Sequence, residues 1–460
     1  MNDSMLTTMP AASATYRRDL GNGLIVRWST AEDTENIAKL CSIVFRDKAD
    51  EPANEFMRYW IHRLMRGDHP VMGPGDFGIV EDTRKKGNPL VACTCLWRHN
   101  WEYEDVPFAI GRPEIVGSDP AYRNRGLIRA LFEMVHARSE AEGHLVQVIT
   151  GIPYFYRQFG YEYALDLDGK RVTYLSLIPK LKEGESEPYT LRETTVEDIP
   201  LVMEYYNRRR AASIVWTDVS EDYWRYLLEG WKAQPERDKT DTLLMIVDAT
   251  GAPEGHVLTT AKRRGKGLNV WAVDTAAGVN VQAVMPSVLR ALQAYGLQMP
   301  TSKPDAEPLS EIRFMLGRTH PVYDVLGDAL APFQEKPYAW YVRVADLPAF
   351  IRHIAPALEQ RLAQSILAGY TGEIKLDFYQ GGLRLVFESG HLKCAEHWRA
   401  PIYEGNASAG FPPLVFLQVL FGHRTLDELK HVFPDVWVND EMQVVLKTLF
   451  PTRPSFVLSL

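Results

Sequence analysis

Between residues 114 and 128 the chain carries groups suited to holding a phosphate. Asp119-Pro120 breaks a short apolar run, Ile115 to Ser118, and Arg123-Asn124-Arg125-Gly126 follows at once. Leu127, Ile128, Leu131, Phe132 and Val135 then recur at helical spacing. A strand end, a turn with two arginines and a glycine, and a helix start together suit an anion. The first N–H groups of a helix lack internal partners, and the helix dipole adds partial positive charge there. Gly126 has no Cβ and lets the backbone approach a ligand closely. A lone R-x-x-G is more often an ordinary solvated turn, so the signal lies in the order of the whole stretch. After the helix come the apolar run Leu145 to Ile149 and the aromatic segment Tyr154-Phe155-Tyr156, leading into Phe159-Gly160-Tyr161.

Placing that turn takes a sheet with helices on its faces. Leu24 to Trp28 alternates as a strand does, and Ser29 to Asp33 opens a helix with Thr30 and Asp33 as a capping pair. Phe77 to Glu81 and Leu90 to Trp97 read as strands paired around the polar loop 84–88. With Glu114 to Ser118 and Leu145 to Ile149 they predict a mixed sheet that closes near Leu177, before the polar linker Lys180 to Pro188. The pattern then restarts. Leu191-Arg192-Glu193-Thr194-Thr195-Val196-Glu197-Asp198 mirrors Val26-Arg27-Trp28-Ser29-Thr30-Ala31-Glu32-Asp33. Ile246-Val247-Asp248 mirrors Ile79-Val80-Glu81, and Tyr323-Asp324-Val325-Leu326-Gly327 mirrors Tyr156-Arg157-Gln158-Phe159-Gly160, at offsets between 165 and 167. A near-constant offset implies two copies of one fold. Asp274 to Val281, where the second copy should have its turn, contains no arginine. That copy is expected to serve as structure or to wall a cleft.

After the strand Ala339 to Val344, Leu347 to Leu367 reads as a helical stretch. Glu373 to Tyr379 and Leu383 to Glu388 read as a hairpin, and helices follow near Pro413–Phe421, Leu426–Phe433 and Asp440–Phe450. The expected class is α/β with α+β character. The expected division is a flexible tail at 1–20, two mixed-sheet domains at 21–180 and 189–345, and a third domain at 346–460.

Composition narrows the functions. A chain of 460 residues is too long for one core. Its 46% apolar and 24% charged content is that of a soluble globular protein. The net charge of −8, spread along the chain, argues against nucleic acid as main partner and suits a cationic substrate. No apolar run is long enough to span a bilayer, and the first 18 residues lack a signal peptide's basic start and apolar centre. Arg208-Arg209-Arg210 and Lys262-Arg263-Arg264 read as solvated faces and turns. Cys93 and Cys95 have no second cysteine or histidine pair to complete a metal clamp, so buried free thiols in a reducing cytoplasm are expected.

The stretch 114–161 resembles the GNAT superfamily of acetyl-CoA-dependent N-acetyltransferases. Its motif P-x-x-[RQ]-x-x-G-x-[GA] is met by Pro120, Arg123 and Gly126, with Ile128 at the last position. Tyr156-Arg157-Gln158-Phe159-Gly160-Tyr161 resembles the Y-x-R-F-G-Y segment of the Eis-type branch, and the order of the last third resembles that branch's sterol-carrier-like C-terminal domain. The resemblance implies acetyl-CoA as co-substrate and no metal. It places the pantetheine arm along Ile115, Val116, Gly117 and Ser118, facing Val146 to Ile149. The pyrophosphate falls on Arg123, Asn124, Arg125, Gly126, Leu127 and Ile128. Tyr156 is implied as the acid that protonates the leaving thiolate, since a phenol of reference pKa about 10 can do so. For the base it offers the chain's terminal carboxylate at Leu460, with the strand glutamate Glu114 as rival. Phe45-Arg46-Asp47 resembles the F-x-D of Eis-type substrate pockets, in which Asp47 holds a cationic amine or else caps a helix. The acceptor implied is a primary amine: a polyamine, an aminoglycoside-like molecule or a lysine. A cytoplasmic hexamer is implied too. Two other classes stay open, a tandem-GNAT aminoacyl transferase and a non-catalytic acyl-CoA or lipid-binding protein.

Overall fold

The computed structural model describes residues 10–233, 241–263, 265–301, 305–399 and 406–458. The fold is α/β, with three mixed sheets of nine, seven and five strands among the described residues. In the first, β1 (Arg17–Asp19), β2 (Leu24–Trp28), β3 (Phe77–Asp82), β4 (Leu90–Tyr103) and β5 (Val106–Ser118) run antiparallel, each beside the next. β6 (Val146–Ile149) joins β5 in parallel. Helices α1 (Thr34–Val44) and α2 (Glu55–Leu64) precede β3, and α3 (Leu127–Ala141) crosses from β5 to β6. β3 is buried at every position, and α1 and α3 cover opposite faces of the sheet, which explains the apolar run Phe77 to Val80 at its start. Between α1 and β4, the buried thiols of Cys41 and Cys93 lie 3.6 Å apart and are free.

The strands do not follow the boundaries expected at 180, 189 and 345. β7 (Glu162–Leu167) lies at the edge of the first sheet, but β8 (Lys170–Tyr174) leaves it. The second sheet contains β9 (Tyr189–Glu193), β11 (Asp241–Asp248), β12 (Pro253–Thr260), β13 (Gly267–Thr275), β14 (Glu311–Phe314) and β15 (Phe333–Glu335), and β8 is inserted between β14 and β15. Reciprocally, β16 (Tyr338–Val344) returns to the first sheet between β6 and β7, and β10 (Val215–Asp218) pairs with β4. An open place beside β6 or β14 would leave ladder N–H and C=O groups unmatched, and each copy fills the other's place. No pattern in a single strand announces such an exchange.

The repeat itself is plain at the start of each copy. Arg27 makes a bidentate pair with Asp33 at 2.8 and 2.8 Å, and Arg192 does the same with Asp198 at 2.7 and 2.8 Å. In both, the aspartate closes a capping box with Thr30 or Thr195.

The tail expected over 1–20 is built in from residue 10 onward. β1 pairs with β2, and Trp28 Nε1 donates to Ala11 O at 3.0 Å. In the last third, Leu347 to Leu367 forms two helices, Leu347–His353 and Ala355–Ala363. The hairpin Gly372–Asp377/Gly382–Glu388 forms as expected, and a further strand, His391–His397, extends it. Arg263, expected in a solvated turn, is buried and donates to the backbone carbonyls of Gly265 and Glu307. Among the described residues no helix is long and apolar enough to cross a membrane.

Candidate active site

β5 and β6 are in register only at Ile110↔Val146 and Gly111↔Gln147, and beyond those pairs they splay apart. β5 has an extra residue there. Opposite β4, Cys93 faces Gly117 and Cys95 faces Glu114, so the bulge falls at Ile115–Val116, and Ile115 takes a φ of 54°. The bulge turns the Ile115 side chain into the core, so Ile115, expected along the cofactor arm, does not line the cleft. Val116, Gly117 and Ser118 do line it. At Gly117 a Cβ would stand 3.1 Å from Val44 Cγ1 and 3.2 Å from Phe45 Cε2, so the absent side chain lets the end of α1 close against the strand.

The cleft that opens at the splay has a volume of about 590 Å³. Its wall includes the whole turn Arg123 to Ile128, with Phe45 and Phe155 nearby. Several contacts fix the turn. Asp119 Oδ1 accepts from Ala121 N at 2.8 Å, and buried Tyr122 donates to Asp82 Oδ2 at 2.8 Å. Gly126 is left-handed at φ 74°, and a Cβ there would meet nothing within 4 Å. No side chain caps the first turn of α3, so its amides stay available to a ligand. Arg123 and Arg125 are exposed at the turn, with the Arg125 guanidinium 4.9 Å from the Tyr122 ring centre. Ile128 is half-buried and packs its bulk toward Phe132 and Tyr156. Arg129, not foreseen, adds a third arginine to the wall; its place three residues past Gly126, in the first helical turn, was the available signal.

Tyr156 packs among Phe132, Phe155, Tyr161 and Tyr341. Burial, with Glu114 acting in the same direction, pushes its phenol above the ordinary range and keeps it protonated. The hydroxyl makes no hydrogen bond within the described residues and lies beside Gly151, 3.9 Å from where a Cβ would stand. Its counterpart Tyr323 is fully engaged: the hydroxyl bonds Phe314 O at 2.8 Å and accepts from Leu316 N at 2.9 Å. Tyr341, on the exchanged strand β16, completes the wall behind Tyr156, a placement with no local trace in the sequence.

A second cavity has a volume of about 370 Å³. Ile152 lines the first, and Thr150 lines this one. Asp166, Asp168 and Asp241 lie in its wall with Arg63, Tyr223 and Trp271, and Ser455 to Leu458 close one side. Asp166 Oδ1 takes Arg318 at 2.5 Å and His423 at 3.0 Å, while its Oδ2 is buried without a hydrogen bond. None of these aspartates stood out in the sequence, because the two copies and the last segment meet only in three dimensions.

The remaining sequence candidates divide. Glu114 is engaged by Arg112 at 2.8 Å, and Arg112 lies between the rings of Trp97 and Trp340, at 5.1 and 4.8 Å. Asp47 is exposed and outside the lining of either cavity. Leu460 lies outside the described residues.

Residues 26–164 match the acetyltransferase (GNAT) domain family. This segment is a GNAT acetyltransferase domain. No curated protein matches the sequence. Among solved structures the chain is similar to a probable N-acyltransferase from Enterococcus faecalis V583, with TM-score 0.64 at 12% identity over 94% of this chain and 97% of that one. It is similar also to a GCN5-related N-acetyltransferase from Anabaena variabilis ATCC 29413, with TM-score 0.63 at 13% identity over 94% and 98%. Eis1 from Mycobacterium abscessus gives TM-score 0.58 at 12% identity over 95% and 99%. At these identities the likeness is one of fold, and it extends over nearly the whole chain.

Proposed function

We propose that the protein transfers an acetyl group from acetyl-CoA to a primary amine of a cationic small molecule or peptide, by direct attack in a ternary complex. The observation that carries this reading is the cleft at the splay of β5 and β6, walled by the turn Arg123 to Ile128, with the unbonded hydroxyl of Tyr156 close to Gly151, between Thr150 of one cavity and Ile152 of the other. Acetyl-CoA would supply the activated thioester. The amides of Arg125 to Ile128 and the guanidinium groups of Arg123, Arg125 and Arg129 hold its diphosphate. The unpaired edges of β5 and β6 beyond Gly111 and Gln147 hold the pantetheine arm. Tyr156, kept protonated by burial, gives its proton to the departing sulfur.

The amine enters from the acidic cavity, where Asp166, Asp168 and Asp241 attract a cation and orient it toward Thr150. Its proton goes to a carboxylate, for which Glu114 is the candidate among the described residues. Phe45 shapes the wall between α1 and the arm, and Asp47, two residues on, is read as a carboxylate that draws in the cation from outside the cavities. The second copy serves as a wall of the amine cavity, consistent with the saturated hydroxyl of Tyr323. The last third is read as the sterol-carrier-like domain of Eis-type proteins, and the assembly as a hexamer, a state that sedimentation velocity measures directly.

The test is coenzyme A release in the presence of polyamines, aminoglycosides and lysine-bearing peptides, for wild type and Tyr156→Phe. At least one amine class should turn over in wild type. Tyr156→Phe should lose most of that turnover while binding acetyl-CoA with unchanged affinity. Turnover that survives the substitution removes Tyr156 from the mechanism.

A further inference from the structure

The run Arg208-Arg209-Arg210 does not behave as a solvated face. Arg210 is paired with Glu102, and Arg209, just past α4 (Ile199–Asn207), turns inward. Arg209 Nη1 lies 3.6 Å from Asp274 Oδ1, on β13 of the second copy. Asp274 is buried, and its other oxygen lies 3.4 Å from Nε2 of His256, which has no solvent exposure. Arg209 is half-buried with its Nη1 shut off from solvent beside a fully buried carboxylate, a placement with a desolvation cost, which asks what the other face of the guanidinium does. That face lies 4.4 Å from the ring centre of Phe456, with the Trp216 ring 5.1 Å from Phe456 on another side.

Phe456 belongs to the strap that closes the acidic cavity. The strap runs parallel to β10: Ile214 N donates to Pro454 O at 2.9 Å, Phe456 N donates to Val215 O at 3.0 Å, and Leu458 N donates to Thr217 Oγ1 at 3.2 Å. Ser455 Oγ accepts from Asp166 N at 3.0 Å, tying the strap to the first copy as well. These bonds fix its direction, but Phe456 is the side chain that anchors it in the second copy. Ser455, Phe456, Val457 and Leu458 all face the cavity assigned to the amine.

We propose that Arg209 is a positioning residue for acetyl transfer: held by Asp274 inside the second copy, it clamps Phe456 and so sets the strap that forms one wall of the amine cavity. This rests on the reading of that cavity as the acceptor site. It also gives the second copy a use that needs no cofactor. The ion pair with buried Asp274 is kept to fix the wall, and a hydrophobic pair of similar volume would serve stability alone at least as well.

The experiment compares wild type with Arg209→Met, Arg209→Lys and the double variant Arg209→Met/Asp274→Asn. It measures thermal midpoint, steady-state kinetics in both substrates, and hydrogen exchange of the peptide covering 453–458. The single Arg209→Met leaves Asp274 buried without its cation and loses stability, whereas the double variant removes both charges and recovers most of the midpoint. The double variant should still exchange its strap amides at least about tenfold faster than wild type. It should also show an amine KM raised about tenfold, with kcat and acetyl-CoA affinity within about twofold. Arg209→Lys, which keeps the cation beside Asp274, should recover a substantial part of both. A double variant whose strap exchange and amine KM return to wild-type values together with its midpoint overturns the proposal, leaving Arg209 a stability element. Strap exchange is read without substrate, so it decides the positioning role even if no amine tested is an acceptor; that failure would count against the acceptor-site reading instead.

Discussion

Gly126→Ala separates the cost of a strained turn from the loss of a ligand cradle. The position is left-handed, at φ 74°. An alanine there costs about 1 kcal/mol, occasionally about 2, in backbone strain. Among the described residues no atom lies within 4 Å of the added methyl, so packing contributes nothing further. The methyl stands instead in open space at the cleft wall. A diphosphate on the amides of the first helical turn would be pushed outward and lose about two charge-assisted hydrogen bonds, each worth about 1.5–3 kcal/mol. The expected binding loss is therefore about 3–6 kcal/mol, or about 10²–10⁴-fold in Kd. Titration calorimetry with coenzyme A gives that number, and urea unfolding of the unliganded protein gives the strain. The reasoning fails if Gly126→Ala binds coenzyme A as tightly as wild type while showing the predicted drop in stability.

Glu114→Gln should lower kcat by only about tenfold, less than the 10²–10⁴-fold of a proton-transfer group, because its carboxylate is committed to Arg112 at 2.8 Å; a larger fall, with loss of the acidic limb of the pH–rate profile, would make Glu114 the base. Asp168→Asn should raise the KM of a dicationic acceptor by about two- to fivefold at low salt, the scale of one solvent-accessible ionic contact, and the difference should fade as salt is added. The Arg192 guanidinium, against the opposing effect of burial, holds Asp198 down to about 2. A carboxyl depressed on folding stabilises the native state above its unfolded pKa and loses that contribution as pH falls toward the folded value, so urea midpoints should be flat above about pH 4 and decline between about pH 4 and 2. Asp198→Asn should be less stable at pH 7 and decline less across that interval.

What the sequence revealed was local. The turn at 119–128 could be read because a proline, a glycine and two arginines sit within ten residues of a helical repeat, and each acts on its own neighbours. The capping boxes at Thr30 and Thr195 are local for the same reason. The strand exchange could not be read, since β8 and β16 look like any half-buried strand and only sheet closure decides where they pair. The acidic cavity stayed hidden likewise: Asp166, Asp241 and Ser455 come from three distant segments. Ile115 failed for a subtler reason, because one extra residue in β5 reverses which side chain faces the cleft. Arg209 was misread because a run of arginines looks solvated until a buried carboxylate, 65 residues on in sequence at Asp274, is placed beside it.

A crystal structure with bound coenzyme A tests the central claim most directly. The account predicts the diphosphate against the amides of Arg125 to Ile128, the arm between the diverging ends of β5 and β6, and the thiol within reach of the Tyr156 hydroxyl. Coenzyme A lodged against the second copy near Asp274 to Val281, or seated away from the turn at Gly126, would contradict it.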